Sequence, residues 1–414
     1  MKGNVIVGQS GGPTAVINSS LAGVYRTAVD RGAKKVYGML YGIQGLLDEQ
    51  YVDLSKYIRS DLDVEILKRT PSAFLGTCRY KLPDIHENQE IYVKIFEILN
   101  KLNIECFIYI GGNDSMDTIK KLSDYAILTG QSQKFVGVPK TIDNDLALTD
   151  HTPGYGSAAK YIATSTKEVI RDGIGFSYKK QQVIIIEIMG RNAGWLTGAA
   201  ALSRGEDCDG PDLIYLPELT FDIEKFTAKV RKLLVKKDVV VVAVSEGIRI
   251  QDGRYVSELG SASDYVDAFG HKQLTGTASY LANVIHRDIG CKTRAVEFST
   301  LQRSAAHLAS RVDVNEAFMV GGAAVKAADE GDSGKMVVID RVSDDPYQCA
   351  TGIYDVHKIA NGEKMVPREW ITKDGTYVTE EFIDYVRPLI QGDSPSVMVD
   401  GIPRHLYMGK NKIE

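Results

Sequence analysis

Short apolar runs that do not alternate with polar residues recur along this chain, and most stop at a glycine-rich or acid-rich turn. "NVIV" at 4 to 7 precedes "GQSGGP", "KVYGML" precedes "YGIQGL", and "CFIYI" precedes "GGNDS". "KFVGV" precedes "PKTIDND", "QVIIIEI" precedes "MGRNAG", and "VVVVAV" precedes "SEG". A strand that is apolar at successive positions is covered on both faces, so the runs predict mostly parallel sheet clothed by helices. The helical pattern from 14 to 31, stopped by Gly32, completes the first strand–helix unit. In such folds ligands bind beyond the carboxyl ends of strands, which is where the unusual residues of this chain stand.

Length and charge narrow the function. A chain of 414 residues, 44% hydrophobic and 25% charged, can bury more than one core. The net charge is -5 with no long Lys/Arg block, which argues against nucleic-acid and membrane-surface partners. An anionic ligand must then be held by local cations. Cys78, Cys106, Cys208, Cys291 and Cys349 are odd in number and never form a CxxC pair, so neither a disulfide framework nor a zinc site is expected. No signal-length apolar segment and no run of about 18 apolar residues occurs, so a soluble cytoplasmic protein is expected.

Two loops hold the first candidate chemistry. Gly8, Gly11 and Gly12 precede Pro13 and Thr14, which are expected to open a helix. Such a turn can offer N–H groups to a phosphate, or be an ordinary tight turn, and it matches neither GxGxxG nor the Walker pattern. In "GVPKTIDNDL", Lys140, Asp143 and Asp145 share a loop without apolar periodicity. A base, a metal-holding acid and a cation so placed suit phosphoryl transfer, while an Asx-rich turn with a solvated salt bridge accounts for the same residues. A calcium loop is disfavoured, because the glycine and the glutamate its spacing requires are missing. "IGGNDSMD" adds a puzzle: Asp114 places negative charge in a turn whose N–H groups would otherwise attract phosphate.

"GGNDS", "PKTIDND", "MGRNAG" and "SEG", in this order, with "TRAVEFSTLQRSAAHLASRVD" at 293 to 313, resemble the phosphofructokinase type A family. The chain resembles its diphosphate-dependent members more than its ATP-dependent ones. In ATP-using relatives the positions of Asp114 and Lys140 are typically glycine, which leaves room for a nucleotide. Here a carboxylate would repel the α-phosphate, and a lysine would supply charge to a shorter donor. The resemblance implies two Rossmann-like α/β lobes, mostly parallel sheets covered by helices, with the active site in the cleft between them. The expected lobes are 1 to 154 on the diphosphate and Mg²⁺ side and 155 to 301 on the sugar-phosphate side, with 302 to 414 returning to both.

The implied reaction moves a phosphoryl group reversibly from diphosphate to O1 of fructose 6-phosphate, giving fructose 1,6-bisphosphate and phosphate. Asp143 would be the base for O1, its charged form favoured by Lys140 and Mg²⁺, with Thr141 and Ile142 beside the transferred group. Gly11, Gly12, Arg79 and Gly112 would hold diphosphate, and Asn113 and Asp145 would face the metal. Met189, Gly190, Arg191, Glu246, Arg294 and Arg303 would contact the sugar phosphate, the arginines through their planar forks. In oligomeric relatives such arginines cross a subunit interface, so Arg294 implies at least a homodimer.

Three positions depart from the family pattern. Asn113 stands where many relatives have the aspartate associated with Mg²⁺, Thr300 where ATP-dependent bacterial members often have histidine, and Gln182 where they often have an acceptor-side arginine. The acceptor could therefore include sedoheptulose 7-phosphate. An ATP-dependent sugar kinase and a non-catalytic sugar-phosphate sensor are the alternatives. His151 is expected in a turn or at a helix entry, Tyr155 and Gly156 at the start of a helix reaching 172. One amphipathic helix near 379 to 390 is expected to serve packing or assembly.

Overall fold

A computed structural model describes residues 1–260, 274–359 and 362–409. Its main strands are β1 (Asn4–Gln9), β2 (Val36–Met39), β3 (Tyr51–Asp53), β4 (Ile104–Gly111), β5 (Lys134–Pro139), β6 (Gln182–Ile188), β7 (Leu213–Tyr215), β8 (Val239–Ser245), β9 (Lys292–Glu297), β10 (Lys335–Asp344) and β11 (Tyr347–Asp355). They form a seven-stranded sheet ordered β11-β10-β5-β4-β1-β2-β3 and a four-stranded sheet ordered β7-β8-β6-β9. The second sheet is parallel throughout, and the first is parallel except at its two edges, where β3 and β11 run antiparallel.

The unalternating runs are the sheet centres: every residue of β1, β6 and β8 is buried. The strands not foreseen are short, lie at an edge, or turn polar along part of their length. β3 and β7 have three residues each, β9 mixes charges into a half-exposed edge, and β10 passes from an apolar run into "DRVSD". Such strands lack the pattern that a doubly covered strand must have.

Chain order around β1 sets the position of the site. The chain moves from β1 to β2 on one side and later returns to β4 on the other, so the loops after β1 and β4 diverge and leave a crevice between them. The helix Asn113–Thr129 starts at once after β4, with Gly112 as its N-cap and Asp114 in its first turn. The helix Ile17–Asp30 starts later than expected. Residues 13–16 form a loop closed by the Val16 N–H on Thr14 Oγ1 at 3.2 Å, so Pro13 and Thr14 lie ahead of the helix rather than in its first turn.

Beyond 302 the chain visits both sheets. The helix Arg311–Asp329 lies so close to Ile17–Asp30 that a Cβ on Gly23 would be 2.0 Å from the Phe318 carbonyl oxygen, and one on Gly321 2.1 Å from that of Ser20. β10 and β11 then extend the first sheet. The helix expected near 379 to 390 is Glu380–Val386 followed by a 3-10 turn, Arg387–Ile390. It buries Phe382, Ile383 and Val386 in the core of the second sheet, where the Phe382 ring stacks on Trp195 at 5.9 Å. The helix expected to end at 172 runs Tyr155–Gly175. No helix among the described residues is long and apolar enough to cross a membrane.

Candidate active site

Three loops of the first sheet and two of the second supply the site. Gly11 follows β1 with φ of 76°, and its N–H donates to the Cys78 carbonyl at 3.1 Å while its own carbonyl accepts from Thr77 Oγ1 at 2.7 Å. These bonds bring the segment carrying Arg79 against the first glycine loop. Lys140, immediately after β5, is 3% exposed, and its Nζ crosses to the Gly12 carbonyl at 2.8 Å. Its own N–H donates to the Gly111 carbonyl at 3.1 Å, so the loops after β1, β4 and β5 are joined at this residue.

Asp143 and Asp145 follow Lys140 in a loop that holds Asn144 between them, a buried residue with φ of 53°. Asn144 tolerates this left-handed conformation because its amide satisfies nearby polar groups: Oδ1 accepts the Thr152 N–H at 3.1 Å, and Nδ2 donates to the Tyr385 hydroxyl at 2.9 Å. Thr141 Oγ1 accepts the Asp143 N–H at 3.1 Å and lies 3.4 Å from its carboxylate as a donor. Ile142 is buried between the two polar residues.

From the second sheet come Met189, Gly190 and Arg191 after β6, and Glu246 after β8. The Met189 N–H donates to Gln302 Oε1 at 3.2 Å, and the Gly190 N–H lies 3.4 Å from Glu246 Oε1. Ser245 Oγ donates to the Gly190 carbonyl, which locks the two loops together. A Cβ on Gly247 would lie 2.0 Å from the Arg191 carbonyl oxygen, so only glycine permits this approach.

The lobes meet through charge. Arg303, on the short helix Leu301–Ser304, has Nη1 3.7 Å from where a Cβ on Gly12 would sit, and its Nε is buried with no hydrogen-bond partner. Arg303, expected on the acceptor side, faces the glycine loop after β1. Burial holds the Arg303 guanidinium below its usual range, with Arg79 adding to the effect while Asp143 and Glu246 oppose it. Burial lowers Lys140 to about 8 against the pull of Asp143 and Asp145. Burial also raises Asp143, outweighing Lys140, Thr141, Arg191 and Arg303, which favour its charged form. Lys140 favours the charged form of Asp143, as expected, but burial outweighs it in the chain alone. Asp145 is raised to about 7 by burial, Asp143 and Glu363, and Glu246 to about 8 by burial, offset in part by the Gly190 N–H.

Other expected residues stand apart. Asp114 is exposed in the first turn of its helix, where the helix dipole favours an acid. Its charge is not among those that act most strongly on Lys140, which are Asp143, Asp145, Arg79 and Arg303. Asn113, beside it, keeps Oδ1 buried with no hydrogen-bond partner. Arg294 points out of the single-chain cleft, with Nη1 2.6 Å from Asp172 on an exposed face. Gln182 is buried at the start of β6 with its Nε2 on the Gly173 carbonyl, and Thr300 is exposed. Among the described residues no group of three or more His, Cys, Asp and Glu side chains is placed to hold a metal ion.

Several site residues were invisible in the sequence. Gln302, which fixes Met189, lies within the segment 293 to 313 with no role expected of it, and Tyr385 and Lys364, which brace the loop of Asp143, lie far away in the chain in no recognised motif. His151 lies, as expected, in the loop that enters the helix Tyr155–Gly175, and it is also a buried ion-pair centre, with Nδ1 2.7 Å from Asp150 and Nε2 2.6 Å from Glu316.

The phosphofructokinase family model matches residues 4–328. A pyrophosphate–fructose 6-phosphate 1-phosphotransferase of Xanthomonas campestris is 43% identical, over 98% of this chain and 96% of the relative. A protein of the same name from Halomonas elongata is 40% identical over 99% and 97%. The crystal structure of a pyrophosphate-dependent phosphofructokinase from Nitrosospira multiformis superposes with a TM-score of 0.87 at 37% identity, covering 97% of this chain and 95% of that one. A cleft of paired cations and acids at the strand ends of two mostly parallel sheets, matched along nearly the whole chain by these proteins, places the chain in the phosphofructokinase family.

Proposed function

We propose that the chain transfers a phosphoryl group from diphosphate to O1 of fructose 6-phosphate, giving fructose 1,6-bisphosphate and phosphate, reversibly. The observation that carries the choice of donor is the Lys140 ammonium, buried against Gly12 and beside Asp143 and Asp145. It fills space and supplies charge in the place where the family's ATP-using members typically have glycine. The relatives above carry the same activity in their names. Residues 1 to 154 form the donor lobe, 155 to 301 the acceptor lobe, and 302 to 414 a segment shared by both.

Asp143 takes the proton from the O1 hydroxyl as O1 attacks the terminal phosphorus of diphosphate, and the P–O bond to the leaving phosphate breaks. A carboxylate whose proton affinity is raised by burial is a stronger base than a free aspartate, provided it is ionised when the hydroxyl arrives. Lys140 and Arg79 meet the charge that develops on the transferred group and the leaving phosphate, with Gly11, Gly12 and Gly112 allowing close approach of the backbone. Arg191 and Arg303 hold acceptor phosphate oxygens by their forks, and Glu246 accepts hydrogen bonds from sugar hydroxyls. Thr141, Ile142, Met189 and Gly190 shape the pocket between them.

The donor set fits a magnesium ion that takes most of its ligands from diphosphate and water: Asn113 Oδ1 lacks a protein partner and Asp145 lies next to the base. Bound there, Mg²⁺ would neutralise diphosphate charge. Asp114, exposed in the first turn of the helix that follows Gly112, opposes a longer, more negative donor by charge and bulk. Arg294, paired with Asp172 on an exposed face, would serve a neighbouring copy in a homodimer or larger homo-oligomer in the cytoplasm, with no nucleic-acid or membrane partner.

Assaying fructose 6-phosphate with Mg²⁺ and either diphosphate or ATP decides the function. Turnover with diphosphate and little with ATP is expected. Saturable turnover with ATP alone would instead identify an ATP-dependent kinase, and no turnover with either donor while sugar phosphate still binds would identify a sensor.

A further inference from the structure

The loop of Asp143 and Asp145 is held from behind by residues more than two hundred positions further along the chain. Asn144, between the two acids, donates to the Tyr385 hydroxyl at 2.9 Å. That hydroxyl donates to the Asp150 carbonyl at 2.6 Å and accepts from Lys364 Nζ at 3.2 Å, so its hydrogen-bonding capacity is filled. Lys364 grips the same loop at three further points: its N–H donates to the Asp145 carbonyl at 2.8 Å, and its Nζ donates to the Asp150 carbonyl and, at 3.4 Å, to that of Thr149.

The brace is itself fixed. The Tyr385 ring packs at 5.3 Å from both Trp195 and Trp370, and the Lys364 ammonium lies 5.0 Å over the Trp195 ring. Arg341 joins the Asp150 carboxylate, at 3.0 Å, to the Tyr385 carbonyl, also at 3.0 Å. Burying an ammonium, a guanidinium and a phenol together is costly unless each is fully bonded, and here the bonds converge on one loop. A loop that holds a left-handed residue needs such support to keep one conformation.

We propose that Tyr385 and Lys364 are positioning residues for catalysis, holding Asn144 so that the Asp143 carboxylate stays aligned with the acceptor hydroxyl. The C-terminal segment thereby becomes part of the catalytic apparatus without touching substrate. The inference rests on Asp143 being the base, as proposed above. Its energetic logic is orientation: a base displaced by about 1 Å can lose on the order of a hundredfold in rate.

The test compares Tyr385→Phe, which keeps the ring and deletes the hydroxyl, with Asp143→Asn and the double variant, measuring kcat and both KM values with diphosphate, fructose 6-phosphate and Mg²⁺. Tyr385→Phe should lower kcat by about tenfold or more with both KM values within about twofold. In the Asp143→Asn background the same change should cost less than about twofold, because its effect passes through the missing carboxylate. Unchanged kcat in Tyr385→Phe, an equal loss in both backgrounds, or a loss carried by KM would overturn the proposal.

Asp143→Asn with undiminished turnover would instead remove the base assignment on which the inference rests, a result distinguishable from failure of Tyr385 alone. Thermal melting controls for folding. Where Tyr385→Phe does not fold, Lys364→Met, which keeps the stem against Trp195, should give the same pattern. Failure of both variants to fold would show the cluster to be structural core and overturn a separable positioning role.

Discussion

Lys140 Nζ bonds the Gly12 carbonyl at 2.8 Å while the Lys140 backbone N–H bonds the Gly111 carbonyl at 3.1 Å, so one residue after β5 ties the glycine loops after β1 and β4 together. Its charge serves Asp143 and Asp145 as well. Lys140→Met should therefore weaken donor use more than acceptor use. A loss of about 1.5–3 kcal/mol in kcat/KM for diphosphate is expected, the size of one charged hydrogen bond, with KM for fructose 6-phosphate little changed. Steady-state kinetics varying each substrate in turn checks this.

Removing both Asp114 and Lys140 tests selection by exclusion. The double change Asp114→Gly with Lys140→Gly should lower turnover with diphosphate and raise kcat/KM for ATP above that of the parent. Parallel donor assays decide it, and no gain with ATP would show that other residues bar the nucleotide.

The rate should follow a bell in pH. Asp143 must be ionised, and burial raises its proton affinity, so activity should climb with pH above the ordinary aspartate range. Lys140 must be protonated and loses its proton at about 8, so activity should fall beyond that point. Lys140→Arg keeps the cation at all working pH and should move only the falling limb upward. A profile of kcat/KM between pH 5 and 10 reads both limbs.

The ion-pair cluster at His151 should govern stability rather than turnover. Asp150 and Glu316 raise His151 to about 9 despite its burial, so this contribution is complete below about 6.5 and fades as pH rises through 9. Asp150, held down to about 2 by His151 and Arg341 although burial opposes them, contributes above its ordinary range and loses that contribution as pH falls toward 2. His151→Ala leaves Asp150 and Glu316 without the cation between them and should cost about 3–5 kcal/mol. Urea unfolding at pH 6 and pH 10 measures it, and the gap between variant and parent should narrow at the higher pH.

Gly247→Ala would place a methyl group 2.0 Å from the Arg191 carbonyl oxygen and 2.6 Å from that of Gly190. The loop carrying Arg191 must move, and KM for fructose 6-phosphate should rise by at least about tenfold, with KM for diphosphate less affected. Steady-state kinetics on folded variant protein checks this, and an unchanged acceptor KM would show that Arg191 does not hold the acceptor.

Sequence alone determined the parallel centre of each sheet and the loops that follow it, because a strand buried on both faces must be apolar along its length and a phosphate-facing turn needs glycine and charge. "CFIYI" before "GGNDS" and "QVIIIEI" before "MGRNAG" are legible for that reason. Only the tertiary structure decided which charges share the cleft. It brought Arg303 against Gly12, left Arg294 on the outer face with Asp172, and put burial ahead of Lys140 in setting the proton affinity of Asp143. It also joined Asn144 to Tyr385 across the length of the C-terminal segment. Desolvation and long-range hydrogen bonds depend on what surrounds a side chain in space, and no local pattern of residues records that.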